Sequence, residues 1–172
     1  MGMRKSHIYG VLIFLVYTLW APFSAGGADN DNARQSLRGH AGIYVWIVAL
    51  DPDIEREGLS EALIRKDVVS QLQGAGIRSL SKEKWFDTPG NPYLYVNANV
   101  LKLPDTKEYI YSVQVFFKQT VYPLHAPMEI LGADTWSTGG RIGITGDLNK
   151  IRKSIGDLVQ QFIRAYRSVN PI

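Results

Sequence analysis

Tyr93-Leu94-Tyr95-Val96-Asn97-Ala98-Asn99-Val100-Leu101 alternates along its whole length, with Leu94, Val96, Ala98 and Val100 on one side and Tyr93, Tyr95, Asn97 and Asn99 on the other. A period of two marks a strand with one buried and one wet face. After the turn Pro104-Asp105-Thr106-Lys107-Glu108 the pattern resumes from Tyr109 to Tyr122, where Tyr111, Val113, Val115 and Phe117 oppose Ser112, Gln114, Lys118 and Thr120. Strand, short turn, strand is an antiparallel hairpin with one apolar face.

Upstream, Gly42 to Leu50 is a nearly continuous β-branched and aromatic run stopped by Asp51-Pro52-Asp53. Apolar on both sides, it is predicted to be a central strand buried on both faces. From Leu59 to Ala75 the period becomes helical through Ile64, Val68, Leu72 and Ala75, with Ser60 or Gly58 as cap and Gly74 and Gly76 at the end. Ile77 to Leu80 is a short strand, followed by a loop of turn residues, Asp87 to Pro92.

Downstream, Ile130 to Trp136 is extended, and the glycine-rich stretch Ser137 to Gly146 reads as a mobile or bulged connection. Asp147 then caps a helix striped by Leu148, Ile151, Ile155, Leu158, Phe162, Ala165 and Val169 and broken at Asn170-Pro171. Two amphipathic helices need an apolar surface, and a half-apolar sheet supplies one. The expected fold is α+β: a two-layer sandwich, its mostly antiparallel sheet of four or five strands carrying both helices on one face. The domain spans residues 39–172, and the polar, aperiodic residues 29–38 are expected to be a flexible tether outside the core.

Residues 1–28 have the layout of a secretory signal: Arg4 and Lys5, an apolar run from Ile8 to Trp20, then Ser24-Ala25-Gly26-Gly27-Ala28. A spanning helix needs roughly 20 apolar residues, so cleavage is expected, with no stable membrane span afterwards. Sites after Gly26 and after Ala28 both fit. The expected location is the periplasm or the medium. The chain has no cysteine, which rules out a lipoprotein, disulfides and thiol chemistry.

Losing Arg4 and Lys5 from 19 basic side chains leaves 17 against 16 acidic ones, a balance of +1. A nucleic-acid binder needs a clustered basic face, and none is visible. Asp51, Asp53, Glu55 and Glu57 could gather around a hard cation, but they lack the spacing of a calcium loop and Arg56 sits among them. They read as a solvated acidic loop, and no metal or cofactor is expected. His40 and His125 are isolated, and Ser137 lacks the Gly-x-Ser-x-Gly elbow. Gly139, Gly140, Gly143 and Gly146 lack the spacing of a phosphate loop and fit a bulged strand followed by a helix cap. The expectation is therefore a protein that is not an enzyme, a hydrolase using Ser137 or His125 being the weakest reading.

Aromatic residues crowd the hairpin strands, and those on the face away from the helices would offer a surface for contact. Tyr93, Tyr95 and Trp136 are the candidate binding residues, although tyrosines also simply suit strands. The expected partner is a cell-envelope protein, and the alternative is a lipid or other amphipathic ligand carried between sheet and helices.

Leu37-Arg38-Gly39, Gly58-Leu59-Ser60, Ala75-Gly76-Ile77, Pro92 to Val96, Thr135-Trp136-Ser137 and Val169-Asn170-Pro171 resemble an uncharacterised family of small secreted bacterial proteins. That resemblance covers nearly all of the chain after the signal and implies no catalytic residues. More loosely, the element order is similar to envelope domains such as the amino-terminal domain of TolB, the curli secretion lipoprotein and the lipopolysaccharide-assembly lipoprotein. It implies docking onto partner proteins by analogy of fold alone.

Overall fold

The computed structural model describes residues 27–125 and 127–171. The signal-segment reading of residues 1–26 lies outside the described residues. The elements run α1 (Asp31–Gln35), β1 (Ile43–Ile47), α2 (Pro52–Arg56), α3 (Glu61–Gly74), β2 (Ser79–Leu80), α4 (Lys82–Phe86), β3 (Tyr93–Lys102), β4 (Tyr109–Val121), β5 (Ile130–Ser137), β6 (Arg141–Thr145) and α5 (Leu148–Val169).

The chain is an α+β fold with an open sheet. Its strand order is β2-β1-β3-β4-β5, and β6 also pairs with β4. β1 is parallel to both neighbours, because α3 carries the chain back before β2 and α4 before β3. The β3–β4 hairpin and the pairings of β5 and β6 with β4 are antiparallel.

β5 and β6 lie end to end along one edge of β4. Phe116 pairs with Ser137 and Val113 with Arg141, so four residue steps oppose three. The glycine-rich stretch is thus a bulge of one extra residue followed by a strand and a cap. Gly143 has no room for a side chain, since a Cβ there would come within 2.7 Å of the Tyr111 hydroxyl.

The helices follow their caps. Ser60 Oγ accepts the Leu63 N–H at 3.2 Å, and α3 ends where Gly76 takes φ +78° while the Ile77 N–H reaches the Leu72 carbonyl at 2.9 Å. Asp147 accepts the Asn149 N–H at 2.9 Å to start α5. Both long helices cover one face of the sheet. The core beneath them comprises Ile64, Val68 and Leu72 of α3, Ile151, Ile155, Leu158 and Phe162 of α5, and Val45, Leu94, Val96, Val115, Phe117 and Trp136 of the sheet.

Two expectations are corrected. The central strand β1 is buried on one face only: Ile43, Val45 and Ile47 are in the core, whereas Tyr44 is half-buried and Trp46 exposed. Among the described residues neither long helix packs on the second face, which the short α4 covers in part, so large aromatic rings take the outward positions of that strand. Residues 29–38 are not a tether. Asn30 caps α1, Leu37 is fully buried, and Asp29 and Ser36 bond to distant parts of the domain. One apolar residue and a few polar side chains with long-range partners suffice to dock the segment, and none of these has a periodic signature.

Candidate functional site

Alternation along β1, β3, β4 and β6 aims every second side chain away from the helices. Cross-strand register sorts these outward side chains into levels. At one end Tyr44, Tyr93 and Lys118 are in line with Asp134, and the next level holds Trp46, Tyr95 and Phe116. A middle level holds Asn97 beside Gln114. Beyond it come Asn99, Ser112 and Ile142, and then Leu101, Ile110 and Ile144. The open face thus has an aromatic end, an amide middle and an aliphatic end.

The aromatic end is built by ring-on-ring packing. Trp46 lies 5.7 Å from Tyr93, and Tyr95 lies 6.0 Å from Phe116, measured between ring centroids. α4 folds over the β1 side, where Trp85 stacks on Tyr44 at 5.1 Å and meets Phe86 at 4.8 Å. Trp85 is thereby buried, and among the described residues its indole N–H has no acceptor. It meets the Trp46 ring edge-on at 89°.

Lys118 pairs with Asp134 and holds its ammonium 5.1 Å from the Tyr95 ring centre and 5.4 Å from that of Phe116. Tyr93 reaches across to Gly132, where a Cβ would come within 2.8 Å of its hydroxyl. Burial pushes the Tyr93 phenol above its usual value, so it stays protonated. Trp46 and Phe86 remain 44% and 63% exposed, and Ile142 and Ile144 80% and 61%.

By sequence, the chain matches no family model and no curated relative. Among solved structures, the PelC dodecamer from Paraburkholderia phytofirmans is similar at 15% identity and a TM-score of 0.40, over 74% of this chain and 90% of that one.

Of the three candidate residues, Tyr93 and Tyr95 lie on the open face and Trp136 does not. Trp136 pairs with Phe117, a helix-facing residue, and is fully buried 5.4 Å from the Phe162 ring. The register shift between Phe117 and Lys118 determines that placement. The residues not singled out are Tyr44, Trp46 and Phe116. Their signal was present: Ile43, Val45 and Ile47 alternate with Tyr44 and Trp46, and Phe116 lies next to the inward-facing Phe117.

The four carboxylates of 51–57 each have their own partner. Asp51 caps α2 at the Asp53 N–H, Asp53 pairs with Arg56, and Glu55 accepts the Glu61 N–H. Glu57 takes the Lys102 ammonium and the Tyr109 hydroxyl, which hold its carboxyl below the usual value. Among the described residues, no three His, Cys, Asp or Glu side chains converge as a metal site.

His40 lies against the Ser36 carbonyl and Phe117, His125 is exposed in a turn, and Ser137 Oγ accepts the Ala28 N–H at 3.1 Å. These groups are not hydrogen-bonded to one another. Between sheet and helices, Phe117, Trp136 and Phe162 are fully buried. The enclosed space between α3 and α5, lined by Ile64, Val68 and Ile155, measures about 10 Å³, at most the room for one water, and lies beneath an open polar groove of about 560 Å³ lined by Asp67, Gln71, Arg152 and Asp157.

Proposed function

We propose that this is an exported, non-enzymatic protein that docks onto a partner protein of the cell envelope through the open face of its sheet. The observation that carries this reading is the chemistry of that face. The outward side chains of β1, β3, β4 and β6 include one charged group, Lys118, already neutralised by Asp134, in a chain that is 20% charged. Depletion of charge with enrichment of Tyr, Trp and Phe is the compositional mark of an interface core. An exposed apolar patch in line with it is a contact surface by the same logic. Export rests on the signal layout of residues 1–28.

The test is cross-linking of the tagged protein in intact cells of its own host, with mass spectrometry of what is captured. Wild type should capture one dominant envelope protein, which the combined Trp46→Ala and Tyr95→Ala substitution should lose. Captures indifferent to those substitutions would overturn the reading.

A further inference from the structure

We infer that the tip of the β4–β5 hairpin dips into the surface of an anionic lipid bilayer and seats the domain on it. The residues concerned are not those of the open face, so this contact does not depend on the docking reading above.

Tyr122, Leu124, Met128, Ile130 and Leu131 all stand exposed along the hairpin tip, Leu124 at 98%. From Val121 to Gly132, Glu129 is the one residue among Asp, Glu, Lys and Arg, and it takes the Tyr122 hydroxyl. A cluster of large apolar side chains left in water gains by leaving it.

The sheet sets these side chains forward. Tyr93, the first residue of β3, pairs with Lys118, whereas β4 and β5 run on together to Val121 and Ile130, roughly 10 Å further along the strands. Polar contacts fasten the base of this projection. The Thr120 N–H donates to the Gly90 carbonyl at 2.7 Å, Gln119 Nε2 donates to the Ser36 carbonyl at 3.2 Å, and Lys118 pairs with Asp134. The result is an apolar tip on a fixed stem.

The chemistry of the tip fits lipid. A protein partner would have to order side chains such as Leu124 that have almost no neighbours of their own, at an entropic cost. A fluid bilayer takes them without a matching pocket. Pro123 and Pro127 carry no backbone N–H, so the tip has two fewer donors to withdraw from water. Tyr122 has the amphipathic ring that belongs at headgroup level. Among the described residues no helix is long and apolar enough to cross a membrane, so the contact is interfacial.

Charge supplies the sign of the bilayer. Around the tip end of the sheet, Arg38, Arg78, Lys82, Lys84, Arg164 and Arg167 are exposed and outnumber Asp31, Glu83, Asp87 and Glu129. At the opposite end Asp51, Asp53, Glu55, Glu57, Asp105 and Glu108 outnumber Arg56, Lys102 and Lys107. Anionic headgroups therefore attract the tip end and repel the other.

The protein purified from its host is mixed with vesicles of phosphatidylcholine, alone or with phosphatidylglycerol in equal parts, and the bound share is read by co-sedimentation. Wild type is expected to bind the anionic vesicles more tightly than the neutral ones, and the combined Leu124→Ser and Met128→Ser variant at least tenfold more weakly than wild type. Leu124→Trp places an indole at the tip, and its emission should shift to the blue on binding and be quenched by brominated lipid chains. Both positions are exposed, so the urea midpoint of each variant should match that of wild type. The combined Trp46→Ala and Tyr95→Ala variant of the open face should bind vesicles as wild type does.

No binding to either vesicle, or binding that the Leu124→Ser and Met128→Ser variant retains, would overturn the inference. Binding lost through Trp46 and Tyr95 and kept without Leu124 and Met128 would give the bilayer to the open face, overturning both this inference and the docking reading. Binding that depends on the tip, with no envelope protein captured in cells through Trp46, would uphold the bilayer contact and remove the docking reading alone.

Discussion

Trp136 donates its indole N–H to the Asp29 carboxylate at 2.9 Å, joining β5 to a residue 107 positions earlier in the chain. The same carboxylate takes Arg34 Nε at 2.7 Å and Gln161 Nε2 at 3.3 Å. One side chain therefore ties the segment before β1 to the sheet and to α5. It also satisfies the polar atom of an otherwise apolar ring, which is what permits a tryptophan at full burial.

Asp29→Ala leaves the Trp136 indole without its acceptor and should cost about 1–3 kcal/mol at neutral pH, read from urea unfolding. The pH dependence has a definite sign. Burial raises the Asp29 carboxyl, but the hydrogen bonds from Arg34, Trp136 and Gln161 and the Arg34 charge outweigh it and hold the group below its ordinary value. A carboxyl depressed in the folded state stabilises above its unfolded value and loses that stabilisation as pH falls through the folded one. The urea midpoint of wild type should fall below about pH 4, and that of Asp29→Asn should fall less steeply. Parallel curves would show that Asp29 is not the tie.

Trp136→Ala removes a ring packed against Phe162 and should cost about 3–5 kcal/mol. Leu131→Ala, at a residue 73% exposed, should stay within about 0.5 kcal/mol. Equal losses from the two, compared by denaturant midpoint at constant slope, would contradict the burial described here.

Gly143→Ala forces a Cβ to within 2.7 Å of the Tyr111 hydroxyl and 2.8 Å of its ring. Overpacking of this kind should cost about 1–3 kcal/mol. In a double-mutant cycle with Tyr111→Ala the alanine at 143 should become nearly free of cost, because the atoms it meets are gone. Simple additivity would mean that the strain comes from somewhere other than Tyr111.

Asn170 closes the domain at its far end. Its Nδ2 donates to the Leu37 carbonyl at 2.9 Å and its Oδ1 accepts the Gly39 N–H at 2.8 Å. Asn170→Asp keeps the acceptor and sets a carboxylate oxygen against that carbonyl. A loss of about 1–3 kcal/mol is expected, with faster amide exchange at Gly39. Unchanged exchange there would separate the two ends.

Local periodicity carried the two-layer plan. The alternation of Leu94, Val96 and Ala98 with Tyr93, Tyr95 and Asn97, the stripes of the two long helices, and the caps Ser60 and Asp147 each depend on residues a few positions apart. Such patterns state directly which side of an element is wet. The same rule put Tyr93 and Tyr95 on the open face, and applied to β1 it separates Tyr44 and Trp46 from Ile43, Val45 and Ile47.

What only the tertiary structure decided involves partners far apart in the chain. The parallel neighbours of β1, the docking of residues 29–38 and the burial of Trp136 depend on contacts such as Trp136 with Asp29 and Asn170 with Leu37. A register shift beside Phe117 sets which way Trp136 points, and no short-range pattern records a shift that its pairing strand imposes. The levels of the open face exist for the same reason: β1 and β6 contribute two side chains each and β3 and β4 five each, and only cross-strand register lines them up.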